Sequence, residues 1–265
     1  MLKYPEIDPI ALSLFGKDVR WYSVMYMAGI LFAFWFFRRA QARGRLPLEP
    51  RQIEGLMLTG VFGMMVGART FYVLVYNYAF YAEHPERILQ LSQGGLSYHG
   101  AIVGIGIATL LYAKVHKLSY LAITDHISTM APFGIGLGRL GNFINGELWG
   151  RPSDVPWAMV FPGAGDEPRH PSQLYESVLE GWLMLAVMMF LYQRLRGAKP
   201  GLLSGIYLMI YGTMRIIGEN FRQPDPQIGL LPGGLSMGQL LSLIMIVFGA
   251  GTVLVTRRLG ARSTP

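Results

Sequence analysis

Apolar stretches separated by short polar segments fill the chain from residue 21 to residue 256. A helix crosses a hydrocarbon core of roughly 30 Å with about 17–25 residues. Seven stretches meet that length, at about 21–37, 55–76, 97–113, 121–145, 172–192, 202–221 and 237–256. The pattern predicts an all-α, polytopic integral membrane protein with seven transmembrane helices. It forms a single membrane domain over 1–265, with 147–171 as an outer loop. No internal repeat is visible. Residues 1–20 lack the continuous apolar core and small-residue cleavage site of a signal peptide. Within them, 10–15 reads either as a segment lying along the membrane surface or as a plain ordered tail.

Composition agrees with a lipid setting. The chain is 52% hydrophobic and only 15% charged, where soluble domains carry about 25% charged residues. Its 33 glycines suit closely packed membrane helices. The absence of cysteine excludes a disulfide framework, a thiolate metal site and a cysteine nucleophile. No HExxH or comparable ligand spacing occurs, so no metal site is expected.

The net charge of +7 is mainly a topology signal. Thirteen Lys and Arg fall in the connections that include Arg38, Lys114, Arg194 and Arg257, and seven in the opposite set. The richer side is cytoplasmic by the positive-inside rule. The N-terminus is then outside (periplasmic) and the C-terminus cytoplasmic, and the basic balance does not call for a nucleic-acid partner.

Arg69, Arg139 and Arg215 fall inside predicted helices. A charge there costs about 2.5–3.5 kcal/mol on insertion scales and needs a partner or a task. Asn142 shares a helix face with Arg139, Asn145 and Glu147 follow, and Gly134, Gly138 and Gly141 mark a smooth stripe. Arg215 has Glu219 four residues on and Arg222 beyond. The alternative for that pair is an internal ion pair that only satisfies Arg215. Arg69, with Tyr72 one turn later, reads equally as a side chain snorkelling to the interface. His99 stands in GGLSYHG (94–100), where Ser97 caps a helix and His99 occupies its first turn; a structural histidine is the alternative. Gln173 and Glu176 open the fifth helix.

In the predicted topology Tyr22, His99 and Glu176 begin helices that start outside. Arg69, the Arg139 to Glu147 set and the Arg215 to Arg222 set end helices that finish there. One arginine-rich site therefore faces the outer leaflet. The planar guanidinium suits phosphate oxygens, so an anionic phospholipid head group is the natural ligand. The glycine run at 134–141 lacks the strand and acidic residue of a dinucleotide loop.

These segments resemble the bacterial prolipoprotein diacylglyceryl transferase family. The likeness rests on GRLGNFINGELWGR (138–151), GGLSYHG (94–100), RHPSQLYE (169–176) and RIIGENFRQPD (215–225), and it extends over nearly the whole chain. The resemblance implies a bacterial inner-membrane enzyme without a cofactor. It would transfer the diacylglyceryl group of phosphatidylglycerol to the lipobox cysteine of a prolipoprotein signal peptide, forming a thioether and releasing glycerol phosphate. It also implies that His99, Arg139 and Arg215 form the central catalytic group. Tyr22, Asn142, Glu147, Gly150 and Glu219 would be supports, and Arg69, Glu176 and Arg222 lesser contributors. The rival reading is a transporter or binding protein for an anionic phospholipid, but transporters usually bind near the midplane between paired repeats.

Overall fold

The computed structural model describes residues 2–90, 95–224, 230–231 and 233–261, with side chains left out at 98, 99 and 259–261. Nine α-helices occur among them: α1 (Trp21–Ala42), α2 (Pro50–Phe71), α3 (Tyr78–Glu83), α4 (Tyr98–Val115), α5 (Tyr120–Ile144), α6 (Ser172–Glu176), α7 (Met184–Arg194), α8 (Leu202–Glu219) and α9 (Met237–Ala261). A π-helical stretch, Tyr72–Tyr76, prolongs α2, and another, Ser177–Leu183, joins α6 to α7. Among the described residues three runs are long and apolar enough to cross a membrane: Pro50–Tyr76, Ser172–Arg194 and Met237–Arg258. The helices α1, α5 and α8 carry polar residues among their apolar ones. Trp21, Tyr22 and Tyr26 open α1, α5 carries Asp125, His126 and Arg139, and α8 carries Arg215 and Glu219.

The mostly helical structure agrees with the all-α expectation, with one small addition. A two-stranded antiparallel hairpin, β1 (Ile10–Leu14) and β2 (Lys17–Arg20), precedes α1. Phe15 (φ 50°) and Gly16 (φ 74°) form its turn, the double positive-φ geometry that matches strand twist. The alternation of Leu12, Ser13 and Leu14 was a strand signal, hidden by its shortness.

Contacts divide the chain into two compact units. Phe36–Ile123 is built on α2 and α4. Pro50 occupies the first turn of α2, and Gln52 Oε1 accepts the Glu49 N–H at 2.8 Å, a reciprocal cap. Ser97 caps α4 by accepting from Gly100 N at 3.2 Å, as expected from the sequence. The two helices approach through glycines: a Cβ on Gly67 would stand 2.6 Å from Gly104 Cα. Small residues at such a crossing let backbones meet where lipid offers no hydrophobic drive.

The other unit comprises Met1–Trp35 and Thr124–Pro265. Here Asp125 of α5 holds the start of α8. Its carboxylate accepts from Gly201 N (2.8 Å), Ser204 N (2.7 Å) and Ser204 Oγ (2.7 Å), an anion on a helix N-terminus. Helix α9 lies against α8 through Gly205 and Gly212; a Cβ on Gly212 would stand 2.7 Å from Ser242 O. The segment after α5 is ordered by Tyr4, Phe143, Met159 and Phe161, which form a buried cluster, and the Tyr4 hydroxyl donates to Phe143 O at 2.6 Å.

Candidate active site

The site grows from a close approach of α5 to the α6–α7 run. Gly136 and Gly181 meet backbone to backbone: a Cβ on Gly136 would lie 3.2 Å from Gly181 Cα. Ser177 Oγ donates to Gly136 O at 2.9 Å. These contacts set Glu176 and Glu180 against Arg139, one turn beyond Gly136. Along the stripe of Gly134, Gly138 and Gly141, space is open at the first two positions and closed at the third. A Cβ at Gly134 or Gly138 would meet nothing within 4 Å, whereas one at Gly141 would stand 2.7 Å from Tyr22 Cδ2.

Arg139 Nε lies 2.9 Å from Glu176 Oε2, and Nη2 lies 3.7 Å from Glu180 Oε2. Helix α8 adds Arg215, whose Nη1 donates to Glu176 Oε1 (2.8 Å) and Glu180 Oε1 (3.2 Å), and whose Nη2 pairs with Glu219. Arg222 Nη1 stands 3.6 Å from Glu219 Oε1. Ser236, at the entry of α9, donates to Glu219 Oε2 at 2.7 Å. Three guanidinium groups and three carboxylates are thus interleaved, formally neutral, in an apolar interior. Burial of such a set requires this pairing, because desolvation of a lone ion costs several kcal/mol.

Exposure grades the members. The Glu180 and Glu176 side chains are 0% and 1% exposed, and that of Arg139 is 17%. The carboxylates are the more deeply enclosed members, and Arg139 is the more accessible of the two arginines that they bridge. Tyr26, whose hydroxyl lies 3.4 Å from that of Tyr22, stands within electrostatic reach of Arg139.

The segment after α5 is pinned beside this cluster's chain. Glu147 Oε1 accepts from Asn142 Nδ2 (2.9 Å) and Asn145 Nδ2 (3.1 Å), while Glu147 O accepts from Gln173 Nε2 (2.7 Å). Gly150 N donates to His170 O at 2.9 Å. A Cβ at Gly150 would stand 2.5 Å from Phe221 O and 2.6 Å from His170 O, so only glycine fits between these strands of chain. Arg151 Nε donates to Arg222 O at 3.0 Å.

Arg69 and His99 belong to the unit Phe36–Ile123. The Arg69 guanidinium donates to Ile88 O (2.7 Å), Arg87 O (2.8 Å) and Gly95 O (2.9 Å) and covers the Tyr81 ring at 5.1 Å. It ties down the segment that leads into α4. His99 sits in the first turn of α4; its side chain lies outside the described residues. Asp225, in the last motif, also lies outside them.

Sequence reasoning passes over Glu180, Ser236 and Tyr26. For Glu180 a signal existed, a second carboxylate four residues past Glu176 in an apolar run. Ser236 carried no such signal.

Fold and site define a helical membrane protein organised around an interior arginine–carboxylate cluster. The family model for prolipoprotein diacylglyceryl transferase matches residues 9–255. A phosphatidylglycerol–prolipoprotein diacylglyceryl transferase from Photobacterium profundum is 44% identical over 94% of this chain and 93% of its own. One from Methylocella silvestris is 46% identical over 96% and 95%, and one from Nitratidesulfovibrio vulgaris 42% over 100% and 99%. The chain belongs to the prolipoprotein diacylglyceryl transferase family.

Proposed function

We propose that this chain transfers the diacylglyceryl group of phosphatidylglycerol to the lipobox cysteine thiol of prolipoproteins. The observation that carries the reading is the pair Arg139 and Arg215, held on buried carboxylates in a member of that family. The protein spans a bacterial inner membrane seven times, with its N-terminus periplasmic, its C-terminus cytoplasmic and its site toward the outer leaflet. The distribution of Lys and Arg supports that orientation.

The reaction is a displacement at the glyceryl carbon that bears the phosphodiester oxygen. The substrate sulfur forms a C–S bond as the C–O bond breaks, and glycerol phosphate leaves with the electron pair. A free thiol has a pKa of about 8.5, so a base must take its proton. His99 is that base, and the proton passes from it to solvent. Arg139 and Arg215 hold the phosphodiester and stabilise the charge gathering on the departing phosphate. Glu176 and Glu219 orient them, Tyr22 and Asn142 bond the head group, and Gly150 and Glu147 hold the adjoining segment. Arg222 and Arg69 are lesser contributors. The acyl chains stay in lipid throughout.

The test is incubation of the purified protein in phosphatidylglycerol vesicles with a lipobox peptide. The peptide should gain the mass of one diacylglyceryl group on its cysteine, and a Cys→Ser peptide should gain none. Unchanged peptide, with lipid carried between vesicles instead, would favour a lipid transporter.

A further inference from the structure

Glu180 has no part in the reaction as described, yet it is the most deeply buried charge near the two arginines. Its side chain is 0% exposed. It sits in the π-helical stretch Ser177–Leu183, a departure from α geometry that often marks functional positions. The extra residue per turn narrows the angular step per residue, so position 180 stays near the face of position 176. Glu176 and Glu180 then present their carboxylates to the same two guanidinium groups from different heights on the helix.

Each carboxylate is split between the arginines. Glu176 gives Oε1 to Arg215 and Oε2 to Arg139. Glu180 gives Oε1 to Arg215 Nη1 and aims Oε2 at Arg139 Nη2 across 3.7 Å. That second oxygen is buried and has no hydrogen-bond donor. Arg215 has Glu219 as a further anchor, but Glu176 alone would give Arg139 a single point about which its guanidinium can swing. The second bridge removes that freedom. Its tight arm holds Arg215, and its loose arm holds Arg139 electrostatically without filling its donors.

We propose that Glu180 is a positioning residue that fixes the spacing of Arg139 and Arg215, through which it acts on the phosphate without touching substrate. The inference rests on the phosphate-clamp reading above. Charge balance makes it separable from a plain binding or folding role. Without the Glu180 charge the cluster is cationic, which favours an anionic lipid in the ground state. Misplaced arginines fail later, as charge moves onto the leaving phosphate. A misplacement of about 1 Å can cost a hundredfold in rate.

The experiment compares wild type, Glu180→Gln and Glu180→Asp in phosphatidylglycerol vesicles with a lipobox peptide, together with their thermal denaturation in detergent. Glu180→Gln should lower the denaturation midpoint, because two buried arginines lose a partner, yet in the folded protein show a KM for phosphatidylglycerol equal to or below wild type and lose about tenfold to a hundredfold in kcat. Glu180→Asp keeps the charge but withdraws it by one methylene; its kcat should fall less, with KM unchanged. If Glu180→Gln fails to fold, the Asp variant decides alone. Wild-type kcat in a folded Gln or Asp variant overturns the proposal, as does a raised KM with kcat intact. A wild-type protein that turns over no substrate would instead bring down the functional reading itself.

Discussion

Arg215 meets three carboxylates through two nitrogens, so every one of its neighbours influences where its charge points. The most sensitive of these is Glu219. Gly238, the second residue of α9, leaves so little room that a Cβ there would stand 2.5 Å from Glu219 Oε1. Alanine itself suits a helix, and a carboxylate at the end of a flexible side chain can move aside. Gly238→Ala should therefore fold, yet displace Glu219 from Arg215 and Ser236. Hydrogen bonds to charged groups contribute about 1.5–3 kcal/mol to stability, so the denaturation midpoint should fall, and turnover, read as kcat on the folded protein, should fall about tenfold or more. Arg139 and Arg215 are conspicuous in the sequence because a charge in an apolar run is expensive. Their partners are less so, since Glu180 reaches them only when two other helices close around it. Arg69 shows the converse. Its charge was equally legible, but its partners are backbone carbonyls 18 to 26 residues away, which carry no side-chain signal.

At the scale of elements, α5 carries two ionic tasks at opposite ends. Asp125 starts α8, and Arg139 enters the cluster 14 residues further along, roughly 20 Å away at 1.5 Å per residue. Loss of a helix cap costs about 0.5–2 kcal/mol. Asp125→Ala should lower the denaturation midpoint of the purified protein while leaving KM within twofold of wild type. A large rise in KM instead would mean that the two ends of α5 are coupled. Helix positions were legible because apolar runs and caps such as Ser97 are local signals. The π-helical stretches and the Ile10–Arg20 hairpin were not. A π-turn is fixed by what packs on it, and a hairpin of two short strands has too little period to stand out beside membrane spans.

For the whole molecule, the absence of cysteine makes orientation directly measurable. Arg43 and Asp166 are both exposed loop positions. Asp166→Cys should react with a membrane-impermeant maleimide in intact spheroplasts, and Arg43→Cys only after permeabilisation. The reverse pattern would invert the topology and place the cluster toward the cytoplasm. The same absence of thiols fits an enzyme whose nucleophilic sulfur belongs to its substrate. The central claim is that Arg139 and Arg215 stabilise the departing phosphate. Removing one preorganised donor of this kind typically costs about 10²–10³ in rate. The direct measurement is glycerol phosphate released from phosphatidylglycerol vesicles by wild type, Arg139→Ala and Arg215→Ala in the presence of a lipobox peptide. Release should match thioether formed in the wild type and fall by at least a hundredfold in each folded variant. Full release by both variants, or release by the wild type without the peptide thiol, would contradict the account.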